Sequence, residues 1–561
     1  MNLFDYFDSL GREPGQARWA PRAPYRPQPD FDLMLVPRVS AWAQDAESRA
    51  QLERVEAEPW ADAVAVRDDQ VRLRLAADWV ERTGAALAAG EWRGADADLV
   101  DGRRYAVYFW GANTTKALHI GHLRNLAIGH ALGAALEQSG GRVERRSLIC
   151  DVGRSMGEAM AGVVQSGRDQ QAWPDGGEKS DHFVGYCYAD YVTASRNGDG
   201  DADGAEDSVA REEALYNDKA DELMMSVLGG DQSALELWSK TRAWVISGQR
   251  KTLARLGISF DKVIFESDFL PEVAELTNLG LGEGRLVRRG DGMVMYLTER
   301  EEMEEMPLVR VDGLPTQHMR ALAYWAAAPE LEDVTSLQVC GNEWVAHVTC
   351  RRKLMDELGS ANGGAVANGG NGHGHGGPPT HDVFHGMVAR HREAITSSKE
   401  GAQLIDDLTE WVEARIEADP ELDAVRRRHP DPDRIAPRVA LGFFLQHPST
   451  KRIDFEPGRV LERDQSLGWN LACAQAQTGG AAPLAAGGAG EDPDYRFAVV
   501  QSQMHRRHLR SSVEGLDVLP LARYVSHFAR WYQERERSPE VERVSQALIE
   551  RGLNGLGLEA A

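Results

Sequence analysis

The residues with the clearest capacity for chemistry are two histidines, His119 and His122, on either side of Gly121. They follow an apolar run at 106–110 and precede apolar residues at helical spacing. The first turn of a helix offers free N–H groups and partial positive charge to an anion. Two imidazoles there can donate hydrogen bonds to charge that develops on a phosphate. The pattern predicts a nucleotide-phosphate site, in which Gly121 leaves room for a base or ribose.

A second polar element lies far downstream, in residues 395–401. The hydroxyls of Ser397 and Ser398 and the amine of Lys399 suit the binding of a triphosphate. The lysine would supply a mobile positive charge to a departing pyrophosphate. Alone, this stretch is typical of an ordinary polar loop, so its meaning depends on whether the fold brings it to the histidines.

The elements around the histidines predict how they are positioned. Residues 106–110 read as a strand, 123–135 as a helix and 147–150 as the next strand. A strand, a helix and a strand in such a short span form a βαβ unit with a parallel sheet. The sequence thus predicts an α/β fold, with the histidines at the carboxyl end of the first strand.

Composition sets the class of protein. The chain has 561 residues, 42% of them hydrophobic and 27% charged, as expected for a globular protein of several domains. Its net charge of −24 repels phosphate backbones, which excludes a general nucleic-acid coat and disfavours DNA as a partner. Five cysteines without C-x-x-C spacing fit a reducing cytoplasm, and neither a protein-bound metal nor a membrane span is predicted.

Shifts in composition and pattern predict three domains. Residues 1–100 would form an extended arm, at 12–38, and a small α+β domain. Residues 101–410 would form the catalytic domain, with a helical insertion at about 155–275 and a Gly-rich loop at 361–380. Residues 411–561 would be helical and end in three helices, over 495–512, 517–536 and 538–551.

Together, the histidine and serine–lysine elements resemble the HIGH and KMSKS signatures of class I aminoacyl-tRNA synthetases. Residues 112–124, ANTTKALHIGHLR, resemble the P-N-x-x-K-x-x-H-x-G-H-L-R stretch of arginyl-tRNA synthetases. Residues 151–153, 308–316 and 405–408 resemble that family's G-D-W-G, L-V-R-S-D-G-T-P-T and L-D-D-L. The resemblance runs from about residue 60 to the end of the chain.

This resemblance implies a Rossmann-like catalytic domain of the HUP type, a small N-terminal α+β domain and a helical domain like those that bind anticodons. It implies ATP-dependent activation of an amino acid as an aminoacyl adenylate, with Mg²⁺ accompanying ATP. Lys116, His119, His122 and Lys399 would be catalytic, and Asn113 would hold the backbone groups of the amino acid. The ATP-binding residues implied are Gly121, Gly341, Asn342, Glu343, Ser397 and Ser398.

The positions that would contact the amino-acid side chain depart from the family. Tyr108 replaces a glutamate, and Gln317, Ala321 and Trp344 replace a tyrosine, an aspartate and a glutamine. With Asp151, these residues form the predicted amino-acid site. A buried guanidinium needs carboxylate partners, so the pattern predicts a neutral, leucine-like amino acid. The alternative is a shift in alignment, with arginine still bound by Glu343 or Asp312.

The altered side-chain positions favour the first of three functions, and the other two are alternatives. The first is a ligase that joins a neutral amino acid to a small-molecule amine in secondary metabolism. The second is a genuine arginyl-tRNA synthetase that charges tRNA, and the third is a non-catalytic binding or regulatory protein. Basic clusters at 426–428 and 505–510 would either contact a tRNA backbone or pair with the acidic excess.

Overall fold

The computed structural model describes thirteen stretches of the chain: residues 2–10, 17–40, 42–67, 70–169, 178–198, 219–300, 303–327, 334–361, 380–390, 393–394, 403–478, 489–535 and 538–559. The serine–lysine element at 395–401, with Ser397, Ser398 and Lys399, lies outside them, as do residues 362–379 of the Gly-rich stretch.

The helices, in chain order, are α1 Leu3–Ser9, α2 Ala46–Glu56, α3 Ala77–Ala88, α4 Ile120–Gln138, α5 Arg154–Gln165, α6 Ser180–Gly198, α7 Lys219–Leu228, α8 Gln232–Arg255, α9 Leu270–Gly282, α10 Gln317–Ala327, α11 Val345–Ala361, α12 Ile405–Ala418, α13 Pro420–Arg428, α14 Ile435–Leu445, α15 Leu467–Gln475, α16 Pro493–Gly515, α17 Leu519–Gln533 and α18 Pro539–Gly555.

The strands are β1 Trp19–Arg22, β2 Leu33–Pro37, β3 Ala61–Arg67, β4 Gln70–Leu75, β5 Arg104–Trp110, β6 Arg142–Ile149, β7 Lys262–Phe265, β8 Val287–Arg288, β9 Val294–Arg300, β10 Met303–Val309, β11 Thr335–Gly341, β12 Thr380–His385, β13 Val388–Arg390, β14 Glu393–Ala394 and β15 Ile453–Asp454.

A parallel sheet with the strand order β12-β11-β5-β6-β7 forms the centre of the molecule. All of β5 after its first residue is buried, as expected for a strand covered on both faces. Helix α4 crosses from β5 to β6 and packs so closely on the sheet that a side chain at Gly129 would overlap Phe109. The predicted α/β class and βαβ unit are confirmed.

Helices α5 to α8 lie between β6 and β7, so they form most of the predicted insertion at 155–275. That range also contains β7, which belongs to the central sheet. Helix α12 runs across the boundary that the sequence predicts between residues 410 and 411. The C-terminal helices follow the predicted spans within a few residues, and α14 and α18 pack against α4.

The N-terminal region is a four-stranded antiparallel sheet with the order β1-β2-β4-β3. The segment at 12–38, which the sequence predicts to be an extended arm, supplies two of these strands. It does so because Trp19, Leu33 and Leu35 are fully buried in the core. The apolar content of the segment was therefore a better guide than its proline and arginine content.

Ion pairs tie this region to the C-terminal helices. The buried Asp32 carboxylate accepts from Arg496 on α16, with Nε 2.9 Å from Oδ1. In the cluster at 505–510, Arg506 pairs with Asp5 and Asp98 and Arg510 pairs with Asp5. The second interpretation of this cluster, pairing with the acidic excess, therefore describes these two arginines. In the described part of the chain, no helix has the length and apolar character that a membrane span requires.

Candidate active site

A cavity of about 490 Å³ opens at the carboxyl ends of the central strands. It lies where the strand order reverses between β5 and β11, which is where open α/β sheets bind ligands. The fold brings most of the predicted site residues to its walls: Tyr108, Asn113, Lys116, His119, Gly121, His122, Gln317, Ala321, Gly341, Glu343 and Trp344.

The two histidines are held by the start of α4. The backbone N–H of Gly121 donates to Nδ1 of His119 at 3.1 Å, and the N–H of His119 donates to Nδ1 of His122 at 3.2 Å. The rings stack with centroids 3.8 Å apart. Because each Nδ1 accepts, the proton of a neutral ring sits on Nε2. Each ring therefore has an Nε2–H left for a ligand.

Both rings are neutral at pH 7. Burial, with help from Lys116, lowers the pKa of His122 to about 4. Burial and the neighbouring His122 and Lys116 lower the pKa of His119 well below its usual range. Neutral donors of this kind lose little solvation when they bind a phosphate oxygen, and they stabilise charge that develops there.

Lys116 brings positive charge to the same end of the cavity. Burial lowers the pKa of its ammonium to about 8, with Glu158 opposing the shift, so the group is still protonated at pH 7. The loop that carries Asn113 and Lys116 is held by Gln249 on α8. Nε2 of Gln249 donates to the carbonyl oxygen of Lys116 at 2.8 Å and to that of Asn113 at 3.2 Å. The insertion thus sets the position of both predicted residues.

The segment after the serine–lysine element is anchored beside the histidines. The N–H of Ile120 donates to the carbonyl of Gln403 at 3.0 Å, and the N–H of Ile405 donates to the carbonyl of Leu118 at 3.0 Å. His119 and Leu404 form an antiparallel bridge between these bonds. The described chain therefore resumes, four residues after Lys399, at the amino end of α4.

A buried polar cluster holds this anchor to the insertion. Asp406 on α12 accepts from Lys179 at 2.7 Å, from His182 at 3.0 Å and from Thr252 at 3.0 Å. Burial alone would raise the pKa of the Asp406 carboxyl, but these hydrogen bonds outweigh burial and lower it to about 2. The carboxylate thus stays charged and links three segments of the chain.

Two predicted site residues do not line the cavity. Asp151 is fully buried, and its carboxylate accepts from Nη1 of Arg242 at 2.8 Å and from the hydroxyl of Ser267 at 2.7 Å. Asp151 therefore supports the fold behind the site. Asn342 lies on the surface, next to the lining residues Gly341 and Glu343.

The positions predicted to contact the amino-acid side chain form another part of the cavity wall, which we call the side-chain end. The part formed by the histidines and Lys116 is called the nucleotide end. Tyr108 lies on β5, and its hydroxyl accepts from Nη1 of Arg146 at 3.0 Å and lies 2.6 Å from the hydroxyl of Tyr324. Gln317 and Ala321 lie one turn apart on α10. At this end of the cavity, the guanidinium of Arg146 therefore lies next to the hydroxyl of Tyr108.

Carboxylates are few among the lining residues. Glu266 is buried, and its Oε2 is 2.7 Å from Nε of Arg320. Glu343 is exposed, and its carboxylate lies directly over Gly341 at the nucleotide end. Asp312, the other acid considered for arginine, pairs with Arg310 and does not line the cavity. Glu343 is therefore the lining acid that has no described ion pair.

The cavity is also lined by residues that the sequence did not single out, among them His318, Trp325, Gln338 and Arg351. Gln338 is the register partner of Tyr108 across β11 and β5. The pairing of these distant strands places Gln338 beside Tyr108, and no local motif marks this position. Within the described ranges, no group of three or more His, Cys, Asp or Glu side chains could hold a metal ion.

Comparisons with known proteins give one consistent answer. Residues 93–323 match the family model described as tRNA synthetases class I (R), catalytic domain. The arginine–tRNA ligase of Phocaeicola vulgatus is 26% identical over 71% of this chain and 66% of its own length. That of Amoebophilus asiaticus is 28% identical over 63% of this chain and 59% of its own. The chain thus spans less than two thirds of these relatives.

A solved structure shares the fold over nearly the whole chain. The arginyl-tRNA synthetase of Thermus thermophilus superposes with a TM-score of 0.66 at 18% identity, covering 99% of this chain and 98% of the other. The likeness therefore extends from the central sheet to the N-terminal sheet and the C-terminal helices.

Proposed function

We propose that this chain is a member of the arginyl-tRNA synthetase family of class I aminoacyl-tRNA synthetases, and that it activates an amino acid with ATP and passes the acyl group to tRNA. One observation carries this proposal. Two neutral imidazoles with available Nε2–H groups and a charged lysine meet at the amino end of α4, in a cavity at the switch point of the sheet.

In the first step, an oxygen of the amino-acid carboxylate forms a bond to the α-phosphorus of ATP, and pyrophosphate leaves. His119 and His122 donate to phosphate oxygens, and Lys116 offsets charge on the α-phosphate. Asn113 holds the backbone groups of the amino acid. In the second step, a terminal ribose hydroxyl of tRNA attacks the acyl carbon, and AMP leaves. The residues act by positioning and charge.

The serine–lysine element completes the proposed site. Lys399 would offset charge on the departing pyrophosphate, and Ser397 and Ser398 would bind its oxygens. The anchor of Gln403 to Ile120 supports this role, because it brings the chain that follows the element to the histidines. Mg²⁺ would arrive with ATP.

For the acceptor, the relatives favour tRNA: those reported above are named as arginine–tRNA ligases. The small-molecule amine that the sequence suggested has no support in these comparisons. Arginine is accordingly the reference amino acid for any assay. The second candidate, a ligase for a non-cationic amino acid, rests on the cavity wall, where Tyr108 is bonded to Arg146 and Ala321 carries no charge.

Amino-acid-dependent exchange of pyrophosphate into ATP tests the activating step. We expect exchange with at least one amino acid, with total tRNA present or absent, and charging of tRNA by the same amino acid. Lys116→Ala is the matched negative, and Lys353→Met, which removes a half-exposed lysine on α11, is the matched control. Nucleotide binding without any exchange would instead favour the non-catalytic binding protein.

A further inference from the structure

Arg351 on α11 is a buried cation that forms no ion pair with any residue that the structure describes. Its side chain lines the cavity, and the residue is only 8% exposed. Its Nη2 donates to the amide oxygen of Gln338 at 2.9 Å, while Nε is buried without any hydrogen-bond partner among the described residues. Burial lowers the pKa of this guanidinium to about 10, so it remains charged at pH 7.

The neighbouring Arg352 has an ion pair of the kind that Arg351 lacks among the described residues. Arg352 pairs with Asp382, with Nη2 2.7 Å from Oδ1, and donates to the carbonyl of Thr380 at 2.9 Å. Arg351 makes no such ion pair with any described residue. An unpaired charge in a low-dielectric site is costly, and an acceptor from a bound molecule would remove that cost.

Register places Arg351 at the side-chain end of the cavity. Its partner Gln338 is paired with Tyr108 across the two central strands. Its guanidinium carbon lies 6.0 Å from the ring centre of Trp325, whose ring is in turn 5.0 Å from that of Tyr108. Arg351 thus lies beside the position predicted to contact the amino-acid side chain.

We propose that the amino acid bound here ends in a hydrogen-bond acceptor, a carboxylate or carboxamide oxygen, and that Arg351 binds this oxygen. The inference deepens the proposed function and rests on it. A guanidinium substrate would place a second cation beside Arg351, whose charge repels it. A leucine side chain would fit a neutral wall but would leave the charge of Arg351 without an ion pair.

The test compares Arg351→Leu with Arg352→Leu in pyrophosphate exchange. For wild type we expect exchange with aspartate, glutamate, asparagine or glutamine. Exchange with the acids indicates a carboxylate acceptor, and exchange with the amides indicates a carboxamide acceptor. Arg351→Leu should lower kcat/KM for that amino acid by about a hundredfold, the value of a hydrogen bond to a charged group, with KM for ATP unchanged. Arg352→Leu should keep the wild-type selectivity.

Thermal melting separates binding from a structural role. Losing Arg352 breaks an ion pair and should lower Tm, whereas losing the unpaired Arg351 should leave Tm of the free protein unchanged or higher. Arg351→Glu should move the preference towards a cationic amino acid. Exchange with arginine alone, or with an apolar amino acid alone, would overturn this inference and leave the proposed function standing.

Absence of exchange with all amino acids, even with tRNA, would instead overturn the proposed function. In that case, the inference about Arg351 is tested by measuring whether the amino acid binds. One of the four acceptor amino acids should raise Tm of wild type and fail to raise Tm of Arg351→Leu. No shift for wild type with any of the four would overturn it.

Discussion

The two ends of the cavity differ in how their polar groups are bound. At the nucleotide end, the backbone of α4 occupies Nδ1 of both histidines and leaves each Nε2–H for a ligand. At the side-chain end, the hydroxyl of Tyr108 accepts a hydrogen bond from Arg146, and Arg351 forms no ion pair with any described residue. In the proposed function, one end binds phosphate and the other binds a group that accepts hydrogen bonds.

The two ends therefore concern two properties, activation by ATP and choice of amino acid, which likeness of fold alone does not distinguish. The nucleotide end depends on backbone geometry at one strand–helix junction, which lies within the region that matches the family model. The side-chain end depends on a few side chains on β5, α10 and α11. Activation and amino-acid choice can therefore be tested by separate substitutions.

The largest effect is expected at the nucleotide end. Lys116→Ala and His122→Ala should each lower the rate of pyrophosphate exchange by about a hundredfold to a thousandfold, because each removes a group that stabilises charge in the transition state. The amino-acid preference of any residual activity should not change. Exchange at the wild-type rate in either variant would remove these residues from the proposed mechanism.

Substitution of Asp151 tests whether this residue belongs to the amino-acid site. Asp151→Asn breaks a buried ion pair with Arg242 and should lower the free energy of unfolding by roughly 3 kcal/mol, measured by urea denaturation. KM for the amino acid should stay the same in the folded fraction. Asp312→Asn, at a partly exposed pair, is the control and should cost less than about 1 kcal/mol. Unchanged stability with a raised KM would return Asp151 to the substrate site.

Asp406 tests the support of the anchor beside the histidines. Its folded pKa of about 2 lies below the usual value of an aspartate, so it stabilises the fold above about pH 4 and loses that contribution as pH falls towards 2. Asp406→Asn should lower the free energy of unfolding by about 2 kcal/mol at pH 7. The gap between variant and wild type should close in acid. A gap that persists at pH 2 would contradict the charge-based account.

The pH dependence of activation gives the smallest effect. Lys116 must be protonated to offset phosphate charge, and its pKa is about 8, so kcat/KM for ATP should fall several-fold as pH rises from 8 to 9. Lys116→Arg keeps its charge at higher pH and should move this fall upward. A profile that is identical in the two proteins would show that another group controls it.

The nucleotide end could be predicted because its signals are local. The apolar run, the histidine–glycine element and the helical spacing follow one another within a few tens of residues, and β5, α4 and β6 match them. The C-terminal helices were equally readable from their spacing. The parallel sheet follows from a crossover rule that depends on sequence order alone.

The side-chain end could not be predicted in the same way. The position of Arg351 depends on the pairing of β11 with β5, two strands far apart in the chain. Likewise, Asp151 follows a buried strand, as a ligand-binding aspartate would, yet its partners Arg242 and Ser267 come from α8 and from the segment after β7. Burial and partners of this kind are set by tertiary packing.

The most direct test of the contrast between the two ends is the ratio of kcat/KM for arginine to that for the best other amino acid. It is measured in pyrophosphate exchange with the wild-type protein, with and without total tRNA. The account predicts measurable activation and a ratio well below one. Exchange supported by arginine alone, in the presence of tRNA, would show that the side-chain end still binds a guanidinium and would contradict the account.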